Sequence, residues 1–155
     1  MKQTHRDFLA ALQQFIPEER LITDPLRTLA YGTDASFYRL IPQIIVRAES
    51  EIHQDATEIS LQPGVIGGQA NSYLAPFNKK IGPDPASINA AMIGGIAANN
   101  ASGMCCGTAQ NSYRTLKSMK LIMADGTQVD TGNPDSVKQF KLSHKALLDS
   151  LDALG

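Results

Sequence analysis

The chain has 155 residues, of which 43% are hydrophobic and 19% charged, with a formal net charge of -1. A chain of this length can bury a core, its apolar share argues against whole-chain disorder, and its near-neutral charge leaves no electrostatic footprint for nucleic acid. No apolar run reaches the roughly 18 residues of a membrane span, and the start Met1-Lys2-Gln3-Thr4-His5-Arg6-Asp7 leads into an amphipathic segment rather than a signal peptide, so the expected location is the cytoplasm. Lysines 117, 120, 138, 141 and 145 are interspersed with acids and read as a solvated face.

Taken in chain order, Phe8, Leu9, Leu12, Phe15 and Ile16 fall at helical spacing over residues 4 to 16, and Pro17 stops the helix. Asp24-Pro25 offers an N-cap with proline at the first helical position, and Gly32 a C-terminal stop, predicting a short helix over 25 to 31. Residues 43 to 47 are rich in β-branched side chains and predict a strand. A second strand is expected over 57 to 62, ending at Pro63-Gly64. Val65 to Leu74 reads as helical until Pro76, although Gly67-Gly68 weakens the pattern. A long strand is predicted within Tyr113 to Ala124, over 114 to 123. Asp125-Gly126 then gives a strong hairpin turn into Thr127 to Asp130. Residues 135 to 154 return to a helical period through Val137, Phe140, Leu147, Leu148, Leu151 and Leu154. The expected fold class is α+β, with a mixed sheet whose strands are partly non-adjacent in sequence. The expected organisation is one domain: a helical segment 1–40, a sheet-containing core 41–131 and a C-terminal helix 135–154.

Residues 81 to 107, IGPDPASINAAMIGGIAANNASGMCCG, are the most informative stretch. They are poor in charge and rich in glycine and alanine, so the backbone can come close to something other than a side chain. Gly94-Gly95 followed by Ile96-Ala97-Ala98-Asn99-Asn100-Ala101 predicts a turn feeding a short, smooth-walled helix. N–H groups at such a start are unpaired and can hold a phosphate. The same letters are equally suited to tight packing. The stretch spells neither the dinucleotide fingerprint nor the phosphate loop, and no lysine follows the glycines, which argues against a kinase-like site.

The ordered set of pieces resembles the flavin-binding lobe of FAD-linked oxidases, of the PCMH type, in the branch of D-lactate dehydrogenases and glycolate oxidase D-subunits. It comprises Tyr31-Gly32-Thr33-Asp34-Ala35-Ser36, then Pro42 to Val46, Leu61-Gln62-Pro63-Gly64-Val65, Pro83-Asp84-Pro85-Ala86-Ser87, Ile93-Gly94-Gly95, Asn99-Asn100-Ala101-Ser102-Gly103, and Leu116 to Gly126. The resemblance covers most of residues 20 to 131. It implies FAD as cofactor, with Pro83, Asp84, Pro85, Ser87, Gly94, Gly95, Asn99, Asn100, Ala101, Ser102 and Gly103 in the binding region. The residues alone leave alternatives. Pro83-Asp84-Pro85 is also a rigid turn, Ser87 a cap for the following segment, Asn99 and Asn100 helix terminators, and Ser102-Gly103 a turn.

One departure stands out. The family places a loop of the type R-G-x-G-T-S-x-x-G before its "P-G-V" strand, and that loop carries much of the pyrophosphate binding. Here Val46-Arg47-Ala48-Glu49-Ser50 runs directly into Glu51-Ile52-His53-Gln54-Asp55-Ala56. The resemblance therefore implies an internally shortened lobe without the family's cap domain, with FAD held weakly or lost. Unpaired strand edges and exposed apolar faces are expected, with self-association through those edges. The parent activity is oxidation of a 2-hydroxy acid such as D-lactate; the alternative is a non-catalytic remnant or interaction module. No residue matches a substrate-binding or proton-accepting motif, so no catalytic residue is assigned.

Adjacent Cys105 and Cys106 are the two cysteines, and neighbouring Cα atoms sit too close for ordinary disulfide geometry. They read as buried reduced thiols. His5, His53 and His144 are scattered, which argues against zinc. His53 and His144 are expected on the surface.

Overall fold

A computed structural model describes residues 1–32, 40–53 and 55–154. The Asp34–Ser36 piece of the family resemblance lies outside these residues. Helix α1 (Gln3–Leu12) comes first and buries none of its side chains. Strand β1 (Leu21–Ile22) and helix α2 (Pro25–Tyr31) follow. The α2 cap is the predicted one: the Asp24 carboxylate accepts from the Arg27 N–H at 2.9 Å, and Gly32 closes the helix.

The strands form three separate antiparallel pairs, in place of the expected joined mixed sheet. β1 pairs with β2 (Ile45–Val46), in register Ile22 to Ile45. β3 (Ser50–Ile52) pairs with β4 (Ile59–Leu61), and β5 (Lys120–Ile122) with β6 (Gln128–Asp130). Among the described residues no strand has neighbours on both edges. β3–β4 and β5–β6 are each joined by local chain, whereas helix α2 lies between β1 and β2, and among the described residues no further strand sits between the pairs to weld them together.

Along the chain Arg47–Glu49 joins the first two pairs, and Arg20 staples that crossing. Its guanidinium donates to the Arg47 carbonyl at 2.8 and 2.9 Å and to Gln62 Oε1 at 2.9 Å. It also pairs with Glu49 at 2.7 Å, and the Arg20 side chain is only 16% exposed. Gln62 Oε1 also accepts from the Glu49 N–H.

Most of the buried core lies between residues 65 and 112. Helix α3 (Gly67–Leu74) contributes Gly67, Ala70 and Leu74. They are joined by buried Val65, by Ile96 of helix α4 (Ile93–Ala98), by Cys106 and by Ser112 of helix α5 (Ser112–Thr115). The backbone at Gly67 has no room for a side chain: an added Cβ would lie 2.5 Å from Ile88 Cδ1 and 3.1 Å from Ile96 Cδ1. Helix α5 takes the first two residues of the long strand expected over 114 to 123. Asn111 caps it by accepting from the Arg114 N–H at 3.0 Å, and of the expected span Lys120–Ile122 alone is paired as a strand among the described residues.

Helices α6 (Pro134–Ser143) and α7 (Lys145–Asp152) divide the expected C-terminal helix at His144. His144 is not a loose surface residue. Its ring stacks on Phe140, lies 2.8 Å from Ser143 Oγ through Nδ1, and 3.0 Å from Asp125 Oδ2 through Nε2. His53 is exposed, as expected, with Nε2 3.1 Å from Ser60 Oγ.

The accessible surface is 11582 Å² for a mass of 16.7 kDa, against roughly 7,600 Å² for a compact chain of that size. The uncovered area is apolar in part: Phe15, Ile122 and Leu154 are each more than three-quarters exposed. Among the described residues no helix is long and apolar enough to cross a membrane.

Candidate functional site

The stretch 81–107 lies against the turn after β4. Backbone bonds stitch the two together: Gly67 N–H to the Ala91 carbonyl at 3.0 Å, Gly68 N–H to Ile88 at 2.8 Å, Ile93 N–H to Val65 at 2.8 Å and Gly94 N–H to Pro63 at 2.9 Å. Gly94 and Gly95 lie inside helix α4, in its first turn, and not in a turn before it. The expected row of free N–H groups at the helix start is thereby shortened. The Ile93 and Gly94 donors are spent on Val65 and Pro63, because the helix begins by completing a bridge between Ile66 and Met92.

The candidate residues divide into a packed set and an open set. Pro83 is buried, and Asp84, Pro85, Gly94, Asn100, Ala101 and Gly103 are half-buried. Several of these are plainly architectural. A Cβ on Gly103 would lie 1.8 Å from the Asp84 carbonyl oxygen, so the 83–85 turn crosses directly over the Gly103 backbone. A Cβ on Gly94 would lie 2.9 Å from Pro63 Cβ. Asn99 ends helix α4, and Asn100 takes the left-handed conformation at φ 46°. The Asn100 Oδ1 accepts from the Tyr113 N–H at 3.0 Å. Ala101 accepts from both the N–H and the hydroxyl of Ser112, each at 3.0 Å.

Ser87, Gly95, Asn99 and Ser102 are exposed. At Gly95 an added Cβ would meet nothing within 4 Å among the described residues. Its N–H has no acceptor among the described residues, and neither do those of Ser102 and Gly103. The Ser87, Asn99 and Ser102 side chains are likewise without partners among the described residues. Gly95 and Asn99 stand one helical turn apart, joined by the Asn99 N–H to Gly95 carbonyl bond of 3.1 Å. The Ser87 hydroxyl makes no cap; its carbonyl accepts from Ala90 and Ala91.

No lysine or arginine occurs between residues 81 and 107, so backbone N–H groups and neutral side chains are this stretch's means of binding an anion. The nearest cation in sequence is Lys80, whose Nζ lies 3.1 Å from Asp84 Oδ2. The Asp84 hydrogen bond and charge hold its ammonium above the ordinary lysine range, with Cys105 and Cys106 adding to the effect. The two thiols do not share one environment. Cys106 is buried, with Sγ 3.6 Å from the Gly103 carbonyl and 3.5 Å from that of Gly107, whereas Cys105 is exposed; both are free.

Sequence reasoning missed Asn71, Asn111 and Ser112, which hold the stretch in place. Asn71 Oδ1 accepts from the Ile81 N–H at 2.9 Å, and the buried Ser112 hydroxyl lies 3.0 Å from the Ile96 carbonyl. Asn111-Ser112 carried a legible N-cap signal; Asn71, inside a helix, carried none. Among the described residues, no group of three His, Cys, Asp or Glu side chains gathers to hold a metal.

An arrangement of small residues, unspent N–H groups and an open glycine suits close approach of a large, flat, phosphate-bearing ligand. Residues 32–132 match the model of a family described as FAD binding domain. No curated protein and no solved structure matches the chain.

Proposed function

The chain belongs to the FAD binding domain family, and from that premise we propose that its cofactor, FAD, lies on the open set Ser87, Gly95, Asn99 and Ser102, while Pro83–Pro85, Gly94, Asn100, Ala101 and Gly103 hold that face in shape. The observation that carries the proposal is Gly95, whose missing side chain leaves space that no other described residue fills and whose N–H lacks an acceptor among the described residues. The four open residues would contact the cofactor through one backbone donor and three short polar side chains. The packed residues would act only by positioning them.

Bound FAD would supply the hydride acceptor, and the protein would hold and tune it. The ordered resemblance of 20 to 131 extends the proposal to the flavin-holding part of an oxidoreductase acting on a 2-hydroxy acid of the D-lactate type. The direct run from Val46 to Ser50 supports weak retention of the cofactor, because the glycine-rich loop expected there would have supplied phosphate-binding N–H groups. Losing several charge-assisted hydrogen bonds, each worth roughly 1.5–3 kcal/mol, lowers affinity by orders of magnitude.

The experiment is a titration of the purified protein with FAD, followed by flavin fluorescence. The expected result is saturable binding at micromolar or weaker affinity, weakened further in Gly95→Leu, which fills the open space. Nanomolar binding would overturn the weak-retention claim. Absence of saturable binding would favour the non-catalytic reading, and unchanged binding by Gly95→Leu would remove Gly95 from the site. Dye-reduction assays with D-lactate and added FAD are expected to show no enzyme-like turnover, since a hydride acceptor must be oriented on the substrate carbon and a base must take the hydroxyl proton.

A further inference from the structure

Strand β5 leaves one whole edge open. The Met123 N–H bonds the Thr127 carbonyl at 2.8 Å and the Thr131 N–H bonds the Met119 carbonyl at 2.9 Å, which fixes the alternation of the β5–β6 ladder. Residues 119, 121 and 123 turn their backbone groups toward β6, so those of Lys120 and Ile122 point the other way. The same alternation turns the Asp130 N–H outward from β6, where it donates to Ser136 Oγ at 3.0 Å. Helix α6 thus stands at the β6 edge. On the β5 edge the N–H and carbonyl groups of Lys120 and Ile122 have no partner among the described residues. Among those residues β5 is also the one strand with every side chain exposed, Ile122 to 77%. An edge of this kind is a template for another strand.

We propose that this edge is a dimer interface whose occupant is β5 of a second copy of the chain, running antiparallel about a twofold axis at Leu121. The proposal is independent of the flavin reading. In that register Lys120 exchanges both backbone bonds with Ile122 of the second copy, and Ile122 with Lys120 of the second copy, so every free group on the edge is used. The side chains select the same register. Lys117 falls opposite Asp125 of the second copy at each end, and the two side chains are 73% and 57% exposed. Each keeps its partner within the chain, Glu58 and His144, with capacity to spare, because an ammonium has three donors and a carboxylate about four acceptor sites. Sliding the axis to Lys120 would set two ammoniums face to face. Sliding it to Ile122 would move Asp125 away from Lys117 and opposite Met119. The surface can supply the area. The accessible 11582 Å² exceeds the compact expectation by about 4,000 Å², and a stable interface takes about 800 Å² from each partner. With α6 at each β6 edge, the four-stranded sheet ends there, which gives a closed dimer and not a fibre.

Sedimentation velocity over a dilution series of the purified chain, without FAD, measures the assembly, and a monomer–dimer equilibrium is expected. Ile122→Lys and Ile122→Glu both alter an exposed side chain and should keep the fold. The first sets like charges opposite Lys120 of the second copy, and the second sets opposite charges there. Ile122→Lys is therefore expected to dimerise about 10-fold or more weakly than Ile122→Glu. Hydrogen exchange on the unaltered chain needs no variant. The Lys120 and Ile122 amides are expected to gain protection as the dimer forms, with the Leu121 amide, already turned to β6, unchanged. A monomer throughout the series, equal weakening by the two variants, growth beyond the dimer, or a dimer whose Lys120 and Ile122 amides stay unprotected would each overturn the proposal.

Discussion

Gly103→Ala separates a residue that shapes the face from one that opens it. The φ of Gly103 lies outside the left-handed region, so the penalty is one of space alone. A Cβ there would lie 1.8 Å from the Asp84 oxygen, 2.4 Å from its carbonyl carbon and 3.2 Å from its Cα. All three are backbone atoms and cannot rotate away. Ordinary contact requires the two segments to part by more than an ångström. Neither gives easily: Asp84 is flanked by two prolines and tied to Lys80, and the Gly103 carbonyl holds the Gly107 N–H. Overpacking of this kind costs about 1–3 kcal/mol or more, and backbone on both sides places Gly103→Ala at the upper end. The internal control is Gly95→Ala, where no described residue lies within 4 Å and alanine replaces glycine inside a helix. That change is expected to stabilise by roughly 0.5–1 kcal/mol. Urea unfolding followed by circular dichroism measures both. Gly103→Ala within about 0.5 kcal/mol of the parent, where ordinary surface changes fall, would refute the packing described. So would Gly95→Ala proving the more damaging of the two.

Arg20→Met keeps the aliphatic stem but removes the donors that staple Arg47, Glu49 and Gln62, and is expected to cost about 2 kcal/mol in urea unfolding; a silent change would mean the crossing is held by backbone alone. Asn100→Ala loses the bond to the Tyr113 N–H and strains a left-handed position, so a loss of about 1–2 kcal/mol is expected by the same measurement, with Asn100→Asp closer to the parent. The Asp125 carboxyl is held below its ordinary value of 3.8 by the Thr127 N–H, then the Thr127 hydroxyl, then His144. Its contribution is therefore fully present above the unfolded value and is lost as pH falls through the lower folded value. Asp125→Asn should flatten the acid limb of a plot of stability against pH below about 4, and an unchanged limb would show that the carboxylate is uncoupled from folding.

The features legible in the letters were those with local causes. Asp24-Pro25 with Gly32 marks α2 because cap, proline and terminator act within one or two turns, and Asp125-Gly126 marks the β5–β6 hairpin in the same way, Gly126 having φ 85°. The joined sheet was not legible, because whether the β1–β2 and β3–β4 pairs share an edge depends on chain far away in sequence. β3 was missed since Glu51 and His53 flank a single apolar residue, Ile52, which carries no alternating pattern. The strand expected from 114 lost to a helix turn nucleated by Asn111, a case of unread cap chemistry. At the site, composition pointed to residues 81–107 but could not separate Gly94 and Gly103, filled by Pro63 and Asp84, from the open Gly95. That distinction is made by segments about 20 or more residues away in the chain.

The most direct test of the central claim is the response of backbone amides to FAD, followed by nitrogen–proton correlation spectra of the labelled protein. Saturable shifts are expected at the Gly95, Asn99 and Ser102 amides, with Gly126 in the distant hairpin turn unmoved. Shifts confined to the hairpin or the terminal helices, with Gly95 and Ser102 unchanged at saturating FAD, would contradict the assignment of this face to the cofactor.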